Sequence, residues 1–403
     1  MTFPYYTLNT ITSHLFPINS PLSLYFHVPF CTCKCDYCSF YSQEVGSIIG
    51  SVAFKEKVTT WKDSIINEIK KILPSLLPSS IYTIYFGGGT PSLVPPVYFE
   101  EIFYELQKCC CENAIYYDPE EISIEVNPSF VTQQLLDEFL SIGFNRITFG
   151  IQSFNKRFLD WMGRNGDSYI DKNHIKSLLS PLVKRDINFG IDLICGFPTQ
   201  TSKELLSDCE SAILLNPKHI SLYRLVLDSN TPLTKRFHKF TNKELSTGDS
   251  NEIKAMNFLE SRGYLHYEIS NYAIAPYLSK HNCVYWNMDN SLAFGSSGVS
   301  TLLRDNGREG ALRIINKEDM KFEIELISQD EFRFENMMMG LRMREGVLLK
   351  KFKERFLHEP SYFYKETIEK AVKEKMVIID DVAIKMTQKG FHFLNSFLLE
   401  LMK

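Results

Sequence analysis

Cys31, Cys35 and Cys38 stand at C-x3-C-x2-C, with Cys33 between the first two. Thiolates crowded into one loop can wrap an iron–sulfur cluster, because soft sulfur donors suit iron clusters and zinc. A [4Fe–4S] cluster usually takes four cysteines. Three leave one iron without a protein ligand, and such an open site binds a small molecule. The spacing therefore points to catalysis or ligand binding rather than simple electron transfer. Two alternatives stay open on spacing alone: one zinc held by all four cysteines, or Cys33 as a fourth cluster ligand. Structural zinc usually draws cysteine pairs from two separated knuckles, whereas these four follow one strand closely. Cys109, Cys110 and Cys111 fall in a helical segment, where successive side chains diverge and cannot share one ion. Burial is the better reading for them and for Cys195, Cys209 and Cys283.

Further chemistry-bearing residues follow. Gly87, Gly88 and Gly89 end an apolar run, where a backbone without side chains can approach a ligand. Glu125, in SIEVNP, is an acid near the end of an apolar strand and needs a polar site or partner. Arg164, in WMGRNG, carries a planar fork suited to a carboxylate. Gln152 offers a donor and an acceptor, and Asp192, flanked by Ile191 and Leu193, can accept from hydroxyls. HNCVYW places His281, Asn282, Tyr285 and Trp286 together; histidine is a haem-iron ligand and aromatics can flank a flat macrocycle. The plain alternative for His281 is a satisfied histidine in a packing corner.

These residues need a scaffold. Six β-branched or aromatic runs alternate with helical stretches up to about residue 230: LYFHV, IYTIYF, EISIEV, RITFGI, NFGIDLI and HISLYRLV. Strand, helix, strand at this pitch means parallel pairing through right-handed crossovers, so an α/β sheet or partial barrel is expected. In such folds the loops after the strands' carboxyl ends gather on one face. Each candidate falls there: the cysteine loop after the first strand, GGGTPS after the second, Glu125 at the third, Gln152 after the fourth, Asp192 in the fifth and Tyr223 in the sixth. Beyond residue 230 the alternation stops. ENMMMGLRMREGVLLKKFKERF reads as helices, MVIIDDVAIKMT as two strands about an Asp-Asp turn, and KGFHFLNSFLLELM as one amphipathic helix. That order resembles a winged-helix module, expected to serve packing or docking. The expected division is residues 1–230, 231–330 and 331–403.

The chain of 403 residues carries 44 Lys and Arg against 48 Asp and Glu, a net charge of −4. That balance lacks the basic field on which phosphate-backbone binding relies, so no nucleic-acid partner is expected. No cationic stretch precedes an apolar run at the start, and no window resembles a membrane span. A cytoplasmic protein is expected, not an integral membrane protein, its ten cysteines reduced.

His27, Pro29, Phe30 and the C-x3-C-x2-C loop resemble the radical S-adenosylmethionine (SAM) superfamily, and YFHVPFCTCKCDYCSF with GGGTPS and HNCVYW resembles its HemN/HemW subfamily. The resemblance implies a partial (β/α)6 barrel and a [4Fe–4S] cluster on Cys31, Cys35 and Cys38, whose unique iron chelates SAM for reductive cleavage to a 5′-deoxyadenosyl radical. It implies SAM contacts from Tyr25, Tyr37, Gly88, Gly89, Thr90, Glu125, Gln152, Arg164 and Asp192, and a haem contact from His281. The subfamily's Gly-Ala-His is replaced in FGSSGVS by Val299 or Ser300, so that histidine is absent or displaced. Within the subfamily, an oxygen-independent coproporphyrinogen III oxidase and a haem chaperone share these motifs. The oxidase branch commonly has a fourth cysteine where Phe40 stands, and a longer N-terminal arm. Both features favour a chaperone that hands haem to acceptor haemoproteins, membrane-associated respiratory proteins among them. An electron donor and a second copy in a homodimer complete the expected partners.

Overall fold

The computed structural model describes residues 5–164, 171–237 and 248–402. The two last residues of WMGRNG lie outside them. The six expected strands are present as β1 (Pro21–Val28), β2 (Ser80–Gly88), β3 (Tyr116–Val126), β4 (Arg146–Gln152), β5 (Phe189–Cys195) and β6 (His219–Arg224). They pair side by side in chain order, every neighbour parallel. The arrangement is an α/β partial barrel, an open sector rather than a closed ring.

A period of two divides each strand. Leu24, Phe26, Ile84, Phe86, Ile124, Ile147, Phe149, Ile191, Leu193 and Ile220 are buried on the outer face. Helices α1 (Val52–Leu76), α2 (Pro96–Glu112), α3 (Gln133–Ser141), α4 (Lys172–Lys184) and α5 (Ser202–Ile213) cover them. Phe54, Ile65, Phe99, Leu136, Leu179 and Leu205 of those helices join the same core. Each such buried side chain contributes about 2 kcal/mol. The helices start where the sequence caps them: Ser51, Thr132 and Asp171 accept N–H groups of the first turn, and Thr201 with Glu204 forms a capping box. The inner face carries Ser23, His27, Thr83, Glu121, Ser123, Arg146, Thr148, His219 and Ser221, all buried polar residues. Strands buried on both faces usually read as continuous apolar runs; here the alternation marks a polar interior.

Both edges of the sector are extended by the chain after residue 230. Antiparallel strands β7 (Leu265–Glu268) and β8 (Asn271–Ala273) follow β6. On the other side β9 (Ser291–Phe294) lies parallel to β1, followed by antiparallel β10 (Val299–Leu303), β11 (Ala311–Asn316) and β12 (Lys321–Ile327). Phe26 stacks on both Phe86 and Phe294, at 4.5 and 5.1 Å, which locks β9 against the first two barrel strands.

The C-terminal unit is α+β and winged-helix-like. Strands Val347–Leu348, Val377–Ile379 and Ala383–Met386 form a three-stranded antiparallel sheet beside helices Gln329–Gly340, Leu349–Phe356 and Lys365–Lys373. The Asp-Asp hairpin is as expected, with Asp380 accepting the N–H groups of Val382 and Ala383. The run from Glu335 to Phe356 is helical in two pieces, as expected; between them Gly346 (φ +75°) makes a turn so tight that a Cβ would lie 2.0 Å from the Ile384 carbonyl oxygen. One expectation is corrected. The final helix is two pieces, Gln388–His392 and Leu394–Leu401.

Candidate functional site

A cavity of about 430 Å³ opens at the carboxyl ends of the barrel strands. Cys31, Cys35, Cys38, Tyr37, Gly88, Gly89, Thr90, Glu125, Gln152, Arg164 and Asp192 line it together. The cysteine loop is anchored at its base by backbone pairing of Phe30–Cys31 with Gln43–Glu44, and Val45 N–H donates to the Cys31 carbonyl at 2.8 Å. All three thiols are free and half-buried. Burial pushes the thiols of Cys31 and Cys38 above their ordinary range, and the neighbouring cysteines add to it. A bound cation is what turns such thiols into thiolates. Cys33 is exposed at the same mouth. Among the described residues no three His, Cys, Asp or Glu side chains gather as for a single metal ion; a cluster takes one thiolate per iron and spaces them more widely.

The Gly-Gly-Thr segment is clamped onto this loop: Gly89 N–H donates to the Val28 carbonyl at 2.8 Å and Thr90 N–H to the Phe30 carbonyl at 2.7 Å. Thr90 Oγ1 lies 3.7 Å from Cys31 Sγ. Gly88 has φ +110°, and a Cβ on it would sit 2.4 Å from the His27 ring; one on Gly89 would sit 2.6 Å from the Phe30 carbonyl oxygen. The protein itself thus excludes side chains at both glycines, a second reason for them beside close approach to a ligand.

Glu125 accepts from the Tyr85 hydroxyl at 2.8 Å and from Gly88 N–H at 3.2 Å. Burial pushes its pKa up to about 7, with Asp192 adding to the rise and those two donors opposing it. Asp192 is pushed up to about 6 by burial, against its bond to Ser221 and the charges of Arg146 and Arg164. Arg164 donates to the Gly150 carbonyl at 2.6 Å. Burial works against its charge, while Tyr37 and Cys35 hold it, with a net upward shift. Gln152 ends β4 with φ +70°, a left-handed conformation strained for a residue with a side chain.

Among the described residues, the buried polar atoms of cavity-lining residues without a hydrogen-bond partner include Arg164 Nε, Asp192 Oδ1, Arg146 Nε and Thr148 Oγ1. Orphaned buried donors and acceptors are costly, and beside three free thiols they fit a polar ligand seated against a thiolate-bound cluster.

Two expected contacts do not reach the cavity. Tyr25 lies deeper on β1, its hydroxyl 3.2 Å from His27 Nδ1 and its ring stacked on Tyr85. His281 is 1% exposed, with Nδ1 2.7 Å from Thr83 Oγ1 and Nε2 2.8 Å from the Tyr285 hydroxyl. Thr83 donates to Ser23, so its oxygen accepts from His281 Nδ1–H and Nε2 accepts from Tyr285. Burial lowers the His281 pKa to about 3. It is packed as a satisfied core histidine, and the structure does not bring it into the cavity with the other expected contacts; Asn282, its neighbour, is the member of HNCVYW that lines the cavity. At the displaced Gly-Ala-His position Val299 is exposed, while Ser300 is buried and accepts Ala293 N–H. Tyr85, Arg146, Thr148 and Ser221 line the cavity without having been singled out. The period-two polar pattern along β2, β3, β4 and β6 was their signal.

Six parallel strands bearing a three-cysteine loop and a glycine clamp at their carboxyl ends define the radical SAM class. The Radical SAM superfamily model matches residues 25–212, and the HemN C-terminal domain model matches residues 327–393. Membership implies a [4Fe–4S] cluster and SAM. The heme chaperone HemW of Buchnera aphidicola subsp. Schizaphis graminum is 32% identical over 94% of this chain and 97% of its own length. That of the Acyrthosiphon pisum subspecies is 31% identical over the same shares. The chain belongs to the HemW family within this superfamily. The fold is that of Escherichia coli coproporphyrinogen III oxidase HemN, at a TM-score of 0.75, 19% identity, 99% of this chain and 96% of the other. No helix among the described residues is long and apolar enough to cross a membrane.

Proposed function

We propose that this chain binds haem and hands it to acceptor haemoproteins, with a [4Fe–4S] cluster and SAM serving that transfer. The observation that carries the cofactor part is the joining, in one cavity, of three free thiols with the orphaned groups of Arg164 and Asp192. Cys31, Cys35 and Cys38 hold the cluster. Tyr37, Gly88, Gly89, Thr90, Glu125, Gln152, Arg164 and Asp192 hold SAM, the carboxylates offering acceptors and Arg164 a carboxylate-binding fork. When bound, cluster and SAM supply one-electron reductive chemistry. The haem part is supported by the names of the relatives, aligned over nearly their whole length.

Phe40 supports the chaperone over the oxidase. It is 66% exposed at the cavity mouth, where the oxidase branch commonly places a further cysteine. Acceptor haemoproteins, an electron donor, a second copy and a cytoplasmic place of action belong to this reading, as does the division at residues 230 and 330. The test is paired: haemin titration of the reconstituted protein, and an anaerobic coproporphyrinogen III decarboxylation assay with reductant and SAM. A saturable Soret band without turnover supports the proposal; robust turnover replaces it with the oxidase.

A further inference from the structure

Arg146 is a buried guanidinium without a direct ion pair among the described residues, its charge held at a distance by Glu121 and Asp192 against its burial. It opens β4, is 2% exposed, and lines the floor of the cavity. Among the described residues it forms no ion pair within 4 Å. Its Nη1 has one long hydrogen bond, 3.5 Å to Ser123 Oγ, and its Nε has none. Of the acids in its surroundings, Asp192 acts on it at a distance with one carboxylate oxygen unpartnered, and the two glutamates have other bonds. Glu121 accepts from Ser123 and from the backbone N–H groups of Lys280 and His281 at a helix start. Glu125 accepts from Tyr85 and Gly88. Thr148, one inward step further up β4, is buried with an unpartnered hydroxyl and lines the same cavity. Register fixes the stack: Arg146 is opposite Ser123, and Thr148 opposite Glu125.

A buried guanidinium fork next to a free hydroxyl, on a cavity wall, is a receptor for a carboxylate. None of the residues implied to hold SAM includes Arg146 or Thr148. We infer that Arg146, with Thr148, forms a second anion subsite on the barrel floor and receives a carboxylate arm of the haem cargo. The inference rests on the haem-binding reading and deepens it. Haem carries two carboxylates on flexible arms, and exposed Phe40 and Val226 put apolar surface on the rim of the cavity, beside the exposed polar residues Lys34, Ser39 and Arg224. Apolar contacts at the rim with a guanidinium deeper in the same cavity match that amphiphile.

The test compares haemin with its dimethyl ester, whose carboxylates are blocked, by Soret titration of the reconstituted full chain. The wild type is expected to bind haemin about tenfold or more tightly than the ester. Arg146→Gln is expected to bind both alike, at the ester's wild-type affinity, and Arg146→Lys to keep part of the preference. A merely structural arginine would leave the haemin-to-ester ratio unchanged in both variants, which overturns the inference. So does a wild type that binds haemin and ester equally, a comparison that needs no variant to fold; in that case haem binding itself still stands. A wild type that binds neither sinks the haem reading and this subsite with it.

Discussion

The Tyr85 hydroxyl donates to Glu125 Oε1 at 2.8 Å, across adjacent barrel strands, and this bond opposes a burial that still leaves the carboxyl titrating near pH 7. Because the folded pKa lies above the ordinary value of 4.5, the native state binds more protons than the unfolded chain between those values. Stability contributed by the protonated form is therefore complete below about pH 4.5 and is lost as pH rises through 7. Glu125→Gln cannot ionise. Relative to wild type it should gain about 2 to 3 kcal/mol of unfolding free energy between pH 5 and pH 8, measured by urea titration of the apoprotein. A difference that does not change with pH would contradict the buried position of this carboxyl.

Arg164 lines the cavity and reaches the Gly150 carbonyl, and its Nε has no hydrogen-bond partner among the described residues. Replacing it with Lys keeps the charge but removes the fork. SAM affinity of the reconstituted protein, measured calorimetrically, should fall about 10- to 100-fold. Unchanged affinity would remove Arg164 from the cofactor set.

Gly88→Ala should destabilise the fold by about 2 to 4 kcal/mol, since the added Cβ meets the His27 ring and the backbone holds a positive φ. His27→Ala in the same chain should return only the part due to the clash. Urea unfolding of the apoproteins separates the two terms, and full recovery in the double variant would show that φ costs nothing there.

His281→Ala leaves Thr83 and Tyr285 without a shared partner in the core. A loss of about 2 to 4 kcal/mol in stability is expected, with haem affinity per folded molecule near the wild-type value. A stable variant that no longer gives a Soret band would show His281 to be a haem contact.

Much of this architecture was written in local pattern. The six barrel strands follow from β-branched runs separated by helical spacing, and the cysteine loop and the glycine clamp follow from residue type alone. Depth was harder to read. Tyr25 and Tyr37 are both aromatics near the cysteines, yet one lies below the cavity and one on its wall, because position along a strand relative to its neighbours depends on register. Arg146 looked like an ordinary strand start until pairing set it opposite Ser123. The break at Gly346 depends on contact with Ile384, a residue far along the chain. For the same reason the strands that flank the barrel, which come from the least regular part of the sequence, were not foreseen as parts of one sheet.

The central claim is that Cys31, Cys35 and Cys38 together hold an iron–sulfur cluster while Cys33 does not. Iron and acid-labile sulfide, measured on anaerobically reconstituted protein, should approach four of each per chain in the wild type and in Cys33→Ala. They should collapse in Cys31→Ala, Cys35→Ala and Cys38→Ala. Full iron and sulfide in any of those three, or their loss in Cys33→Ala, would contradict the assignment.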